Sequence, residues 1–192
     1  MNETGSRPPG PNRTWIYVVL GCVLAWTFIV YAFGPRRGPG ALGDPPLGGN
    51  PSALPADYDW TLEGLDARPV DFARYKGRVV FLNIWATWCP PCVAEMPSIA
   101  NLAANPKLKA KNVAFVCVST DDDLDTVRRF VAGKDWPMTI LRATSLPPAF
   151  ATDGIPATFI IAPDGRVAVS HVGSAQWDEP DVVDLLERLG GG

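Results

Sequence analysis

Apolar and polar positions divide this chain into stretches of different character. From Trp15 to Phe33 the residues are almost all apolar and none is charged. A helix of that length, at about 1.5 Å per residue, spans roughly 28 Å, close to the hydrocarbon thickness of a bilayer. The pattern predicts one transmembrane anchor over residues 15–33. Trp15 and Tyr17 would sit at one interface and Tyr31 at the other, with Arg13 and Arg36-Arg37 bracketing the span. A cleaved signal peptide is the competing reading. Its apolar core is commonly about 7–15 residues long and ends at a small-residue cleavage site, which is not found near Phe33. The flanking segments, residues 1–14 and 34–56, are dominated by Pro, Gly and polar side chains. They cannot bury enough surface to offset the entropy of ordering, so a disordered N-terminal tail and a Pro/Gly-rich linker are expected there.

Residues 57–192 read as one folded domain. Tyr58 to Leu62 and Pro69 to Phe72, separated by the turn-prone Gly64 to Ala67, predict a short hairpin. Val79 to Ala86 is a run of large apolar residues broken only by Asn83, as expected of a strand buried on both faces. Val93 to Ala104 carries apolar residues near helical spacing. Val113 to Ser119 then predicts a second strand, and Asp121 to Ala132 a helix capped by the acidic Asp121-Asp122-Asp123. A strand, a helix and a strand imply a parallel pair joined by a crossover. Met138 to Leu141 is a further strand, and Thr158 to Ile161 pairs with Val167 to Ser170 across the Pro163-Asp164-Gly165 turn. A final helix starts after an N-cap at Asp178, with Pro180 in its first turn and Val182, Leu185, Leu186 and Leu189 along one stripe.

The net charge of −3 gives no electrostatic reason to expect a nucleic-acid partner. Chemistry enters at Trp88-Cys89-Pro90-Pro91-Cys92, directly after the buried strand. Two cysteines at this spacing can be toggled between dithiol and disulfide. Cys89 is placed at a helix N-terminus, where unpaired amides and the helix dipole favour a thiolate by roughly 0.3–2 kcal/mol. Half of a zinc site has the same spacing, but a four-sulfur site needs a second pair, and Cys22 and Cys117 stand alone. No metal and no bound cofactor are inferred. Cys117 reads as inert packing within its strand, and His171 as a surface or satisfied histidine.

Asn83 to Cys92, followed by Glu95 and Pro97 and later by Gly154-Ile155-Pro156-Ala157-Thr158, resembles the TlpA/ResA group of membrane-anchored, thioredoxin-like thiol-disulfide oxidoreductases. The resemblance covers roughly residues 57–190. It implies an α/β thioredoxin fold with an N-terminal β-hairpin and a central insertion at about Asp121 to Pro148. It further implies a cytoplasmic-membrane protein with its N-terminus inside and its catalytic domain on the extracytoplasmic side. Electrons would come from a membrane thiol reductase and go to disulfides of exported proteins, for example in cytochrome c maturation.

By the same resemblance Cys89 and Cys92 are the redox pair, and Pro156 is a cis-proline beside them. A cis X–Pro bond costs only about 0.5–1 kcal/mol and could leave the Ile155 backbone free to pair with an extended substrate. Trp88 and Trp85 are read as an apolar rim that docks and shields. Cytosolic thioredoxin has a buried carboxylate where this chain has Asn83, so the base for Cys92 must lie elsewhere. Glu95, three residues after Cys92 on the same helix, is the candidate, against the plainer reading of a solvated helical Glu.

Two other functions use the same residues. A peroxiredoxin-like thiol peroxidase would need Pro and Thr seven and three residues before Cys89, where Leu82 and Ala86 stand. A copper-delivery module would draw on Cys89, Cys92 and His171, although such carriers space their cysteines one residue wider.

Overall fold

A computed structural model describes residues 13–33 and 55–191. The expected tail over 1–14 and linker over 34–56 fall almost wholly outside the described residues. The chain forms two units, Met1–Ala41 and Leu42–Gly192. In the first, α1 (Arg13–Phe33) is one continuous helix. Its described side chains, Ile16 to Thr27, are exposed. Among the described residues no helix is long and apolar enough to cross a membrane.

The second unit is built on a seven-stranded sheet. In chain order its elements are β1 (Thr61–Gly64), β2 (Pro69–Asp71), β3 (Val80–Trp85), α2 (Pro90–Ala104), α3 (Pro106–Ala110), β4 (Ala114–Ser119), α4 (Leu124–Val131), β5 (Thr139–Arg142), β6 (Ala157–Ile161), β7 (Val167–Val172) and α5 (Pro180–Leu189). The strand order is β2-β1-β5-β4-β3-β6-β7. β3, β4 and β5 run parallel, and the hairpin β1–β2 joins antiparallel to β5 while β6 and β7 complete the other edge antiparallel. This is a thioredoxin-like α/β fold with a mixed sheet.

All six residues of β3 are buried because the strand is covered on both faces. Phe81 and Trp85 point into a core shared with Met96, Ile99 and Leu102 of α2, Val127 of α4 and Val182 and Leu186 of α5. Val80, Leu82 and Ile84 face the other way, where Trp60, Phe72, Tyr75 and Phe150 close the sheet with aromatic rings. Phe72 lies at the centre of that layer, with ring centroids of Tyr58, Trp60, Tyr75 and Phe150 between 5.4 and 5.8 Å away. Trp85 is thus a core residue with no exposed surface, packed on Phe130 at 5.5 Å, and does not form part of an exposed rim.

Two caps differ from the expectation. Of the three consecutive aspartates, Asp123 alone caps α4, accepting from the N–H groups of Asp125 and Thr126 at 3.1 Å each. Asp121 is buried and bonded elsewhere. At the last helix Glu179 is the N-cap, without a side-chain bond, and Pro180 opens the helix. Asp178 instead accepts from the side-chain amides of Asn101 and Gln176, because it sits one residue too early to reach the α5 amides.

Candidate active site

Cys89 and Cys92 form a disulfide with an S–S distance of 2.06 Å. The local sequence accounts for its position. β3 ends at Trp85, a short turn follows, and α2 begins with Pro90 and Pro91, whose missing N–H groups cost nothing in a first helical turn. Cys89 is therefore the N-cap of α2, and its Sγ accepts from the N–H of Cys92 at 3.2 Å. That amide and the aligned peptide dipoles behind it stabilise negative charge on this sulfur. Cys89 is almost buried and Cys92 wholly so, whereas Trp88 is 67% exposed. An incoming group meets Trp88 and an edge of Cys89, not Cys92.

The second wall of the site comes from the loop before β6. The Ile155–Pro156 peptide bond is cis. The carbonyl oxygen of Ile155 lies 3.8 Å from Cys89 Sγ, and Pro156 is turned inward with its carbonyl accepting from the N–H of Gly173 at 2.8 Å. The β3–β6 ladder ends at the Ile84–Ala157 pair. Ile155 is thus the half-buried residue beyond the end of the ladder and beside the reactive sulfur.

Beneath the disulfide, Glu95 is fully buried on the inner face of α2. This replaces the picture of a solvated helical glutamate. Its Oε1 accepts from Asn83 Nδ2 at 2.8 Å, and its Oε2 from Trp177 Nε1 at 3.0 Å and the N–H of Ala175 at 3.1 Å. Burial pushes its pKa up to about 7, against the opposing pull of the bonds from Trp177, Ala175 and Asn83. A carboxyl titrating near neutrality, three residues after Cys92 on the same helix, is the candidate base for that thiol. Asn83 also donates to Thr158 Oγ1 at 3.0 Å, so it joins β3, α2 and β6.

Trp177 and Ala175 had no signal in the sequence that ties them to Glu95, because they lie 82 and 80 residues away in the chain and meet it only through the fold. Ser98 supports the arrangement from α2, its hydroxyl donating to the Glu95 carbonyl at 2.8 Å and accepting from the N–H of Trp177 at 3.1 Å. Cys117 pairs with Asn83 across β3 and β4 and is fully buried. Burial and then the nearby Glu95 charge push its thiol pKa well up, which suits packing and not reactivity. His171 stacks edge-on against Trp177 at 5.8 Å from β7, and burial lowers its pKa. Among the described residues no group of three or more His, Cys, Asp or Glu side chains is arranged to hold a metal ion.

Comparison with known proteins agrees with this geometry. Residues 51–186 match the Redoxin family. The thiol-disulfide oxidoreductase ResA of Bacillus subtilis (strain 168) is 29% identical over 157 residues, covering 81% of this chain and 80% of that protein. The ResA of a Bacillus cereus strain is 32% identical over 117 residues, 60% of this chain and 66% of that protein. Among solved structures, a secreted Mycobacterium tuberculosis disulfide oxidoreductase homologous to E. coli DsbE aligns with a TM-score of 0.54 at 26% identity, covering 70% of this chain and 96% of that one. The match to the family spans the hairpin, the disulfide, the cis-proline and most of the final helix, and the chain belongs to the Redoxin family, among its ResA-type thioredoxin-like thiol-disulfide oxidoreductases.

Proposed function

We propose that this enzyme reduces disulfides of exported proteins by dithiol exchange, apocytochrome c cysteines being one such substrate. The Cys89 thiolate attacks a substrate disulfide. One substrate sulfur leaves as a thiolate, and a mixed disulfide remains. Cys92, its proton passed to Glu95, attacks the Cys89 sulfur and expels the second substrate thiolate. Two electrons have moved to the substrate, and the Cys89–Cys92 bond described above is the product state of the enzyme. A membrane thiol reductase then returns two electrons to the pair. Trp88 and the Ile155 backbone beside Pro156 hold the substrate chain in extended form next to Cys89.

The observation that carries this reading is the placement of Cys89 Sγ. It caps α2 beside the exposed Trp88, 3.8 Å from the Ile155 carbonyl, with only an edge open to solvent and a neutral-range carboxyl buried on the same helix. The decisive test is the reduction potential of the Cys89–Cys92 couple, measured against glutathione or dithiothreitol buffers. A reductase is expected below about −200 mV, while a value near about −120 mV makes the protein an oxidant.

The run from residue 15 to residue 33 is the anchor in this reading, with residues 34–56 as the tether and the domain from residue 57 onward held on the extracytoplasmic face. The uncharged sequence and the helical backbone of α1 support it. The full chain is expected in the membrane fraction after an alkaline carbonate wash, and a chain lacking residues 15–33 in the supernatant. Recovery of both in the supernatant removes the anchor.

A further inference from the structure

Asp121 is 3% exposed, and none of the disulfide chemistry above uses it. Its carboxylate is held by three donors. Oδ1 accepts from Thr87 Oγ1 at 2.6 Å, and Oδ2 from the N–H of Thr87 at 2.9 Å and from Ser119 Oγ at 2.6 Å. Ser119 Oγ in turn accepts from the N–H of Asp121 at 3.0 Å. Next to it, the Thr120 N–H and hydroxyl both donate to the Trp85 carbonyl, at 2.9 and 3.3 Å. The turn that leaves β4 therefore grips the backbone that leaves β3. That backbone is the lead-in to the reactive sulfur, since the Cys89 N–H closes on the Ala86 carbonyl at 3.2 Å. The grip is itself anchored. Arg142 on β5 donates to the carbonyls of Asp121 and Asp122 at 3.2 and 3.1 Å, and its Nε and Nη2 reach Glu63 on β1 at 2.8 Å each.

A buried carboxylate is retained only where donors replace its water, and charge-assisted bonds are shorter and stronger than neutral ones. The Thr87 N–H can only donate, and both hydroxyls donate to the carboxylate, so an amide in its place gives up the charge-assisted bonds to Thr87 and Ser119. We propose that Asp121 is a positioning residue for disulfide exchange: by clasping Thr87 it fixes the segment that sets the Cys89 sulfur at the mouth of α2. It acts through Thr87 and touches neither sulfur nor substrate. This goes beyond the proposed function but rests on Cys89 being the attacking sulfur.

Three variants of the full chain test it, T87V, T87S and D121N. The readouts are reduction of insulin and the rate of Cys89 alkylation by iodoacetamide at one fixed pH in a Cys92→Ser background. Thermal melting is recorded alongside. Loss of the clasp is expected to slow both reactions by about 10-fold or more in T87V and D121N, since small displacements of a reacting group carry costs of this order. T87S keeps the hydroxyl and is expected to stay within about 3-fold of the parent. A folded T87V that reacts at the parental rate overturns the proposal, and so does a T87S as slow as T87V. If D121N does not fold, the T87V and T87S pair decides alone. A Cys89→Ser protein that still reduces insulin overturns the underlying function and the clasp with it, whereas a folded T87V at the parental rate beside an inactive Cys89→Ser overturns the clasp alone.

Discussion

Replacing Cys89 by Ser is expected to abolish disulfide exchange, lowering insulin reduction by at least about 10³-fold, because removal of an attacking nucleophile leaves only binding and background chemistry. The substitution is close to isosteric, and Cys89 contributes one N-cap bond to α2, which a Ser hydroxyl can also make. The variant should therefore stay folded, with circular dichroism like that of the reduced parent. Cys92→Ser is expected to behave differently. It keeps the attacking sulfur and loses the resolving one, so it forms mixed disulfides that do not turn over. A Cys89→Ser protein that still reduces insulin at a tenth of the parental rate would mean that Cys92, buried beneath its partner, attacks directly.

Glu95→Gln is expected to have the second-largest effect, on rate and on stability together. Above about pH 7 the ionised Glu95 can take the Cys92 proton, and Gln cannot, so exchange should slow by roughly 10²-fold there and lose its rise through neutrality. The stability effect has a definite sign. The Glu95 carboxyl is neutral in the folded protein up to about pH 7 but titrates near 4.5 when exposed. Its contribution is complete below pH 4.5 and is lost as the pH rises through about 7, a change of about 3 kcal/mol. Urea unfolding of the parent between pH 4 and pH 8 should show this decline, and the Gln variant a flatter profile. Equal profiles in the two proteins, in rate and in stability, would remove Glu95 from the chemistry.

Much of the fold was legible because its strongest signals are local. β3 is buried on both faces, and so its sequence is a continuous apolar run. Pro90 and Pro91 mark the first turn of α2, and the Pro163-Asp164-Gly165 turn places Gly165 at φ 86°, where a side chain would be strained. The errors have a common cause. A carboxylate before a helix reads as a cap, yet Asp121 is drawn inward by Thr87, 34 residues earlier, and Asp178 by Asn101, 77 residues earlier. Trp85 and Trp88 look alike in sequence, but one closes a buried strand and the other stands on the turn beyond it. Glu95 was visible as a candidate through its spacing from Cys92. Its burial was not, because the donors that make burial tolerable arrive from β3 and from the loop before α5.

The most direct measurement is capture of the exchange intermediate. The Cys92→Ser protein, mixed with oxidised insulin or a disulfide-bonded peptide and quenched with acid, should carry one substrate chain on Cys89, identified by peptide mapping and released by dithiothreitol. The same treatment of Cys89→Ser should yield little or none. Attachment through Cys92 or Cys117 instead, or no covalent adduct under conditions in which the parent protein reduces insulin, would contradict a mechanism led by the Cys89 sulfur.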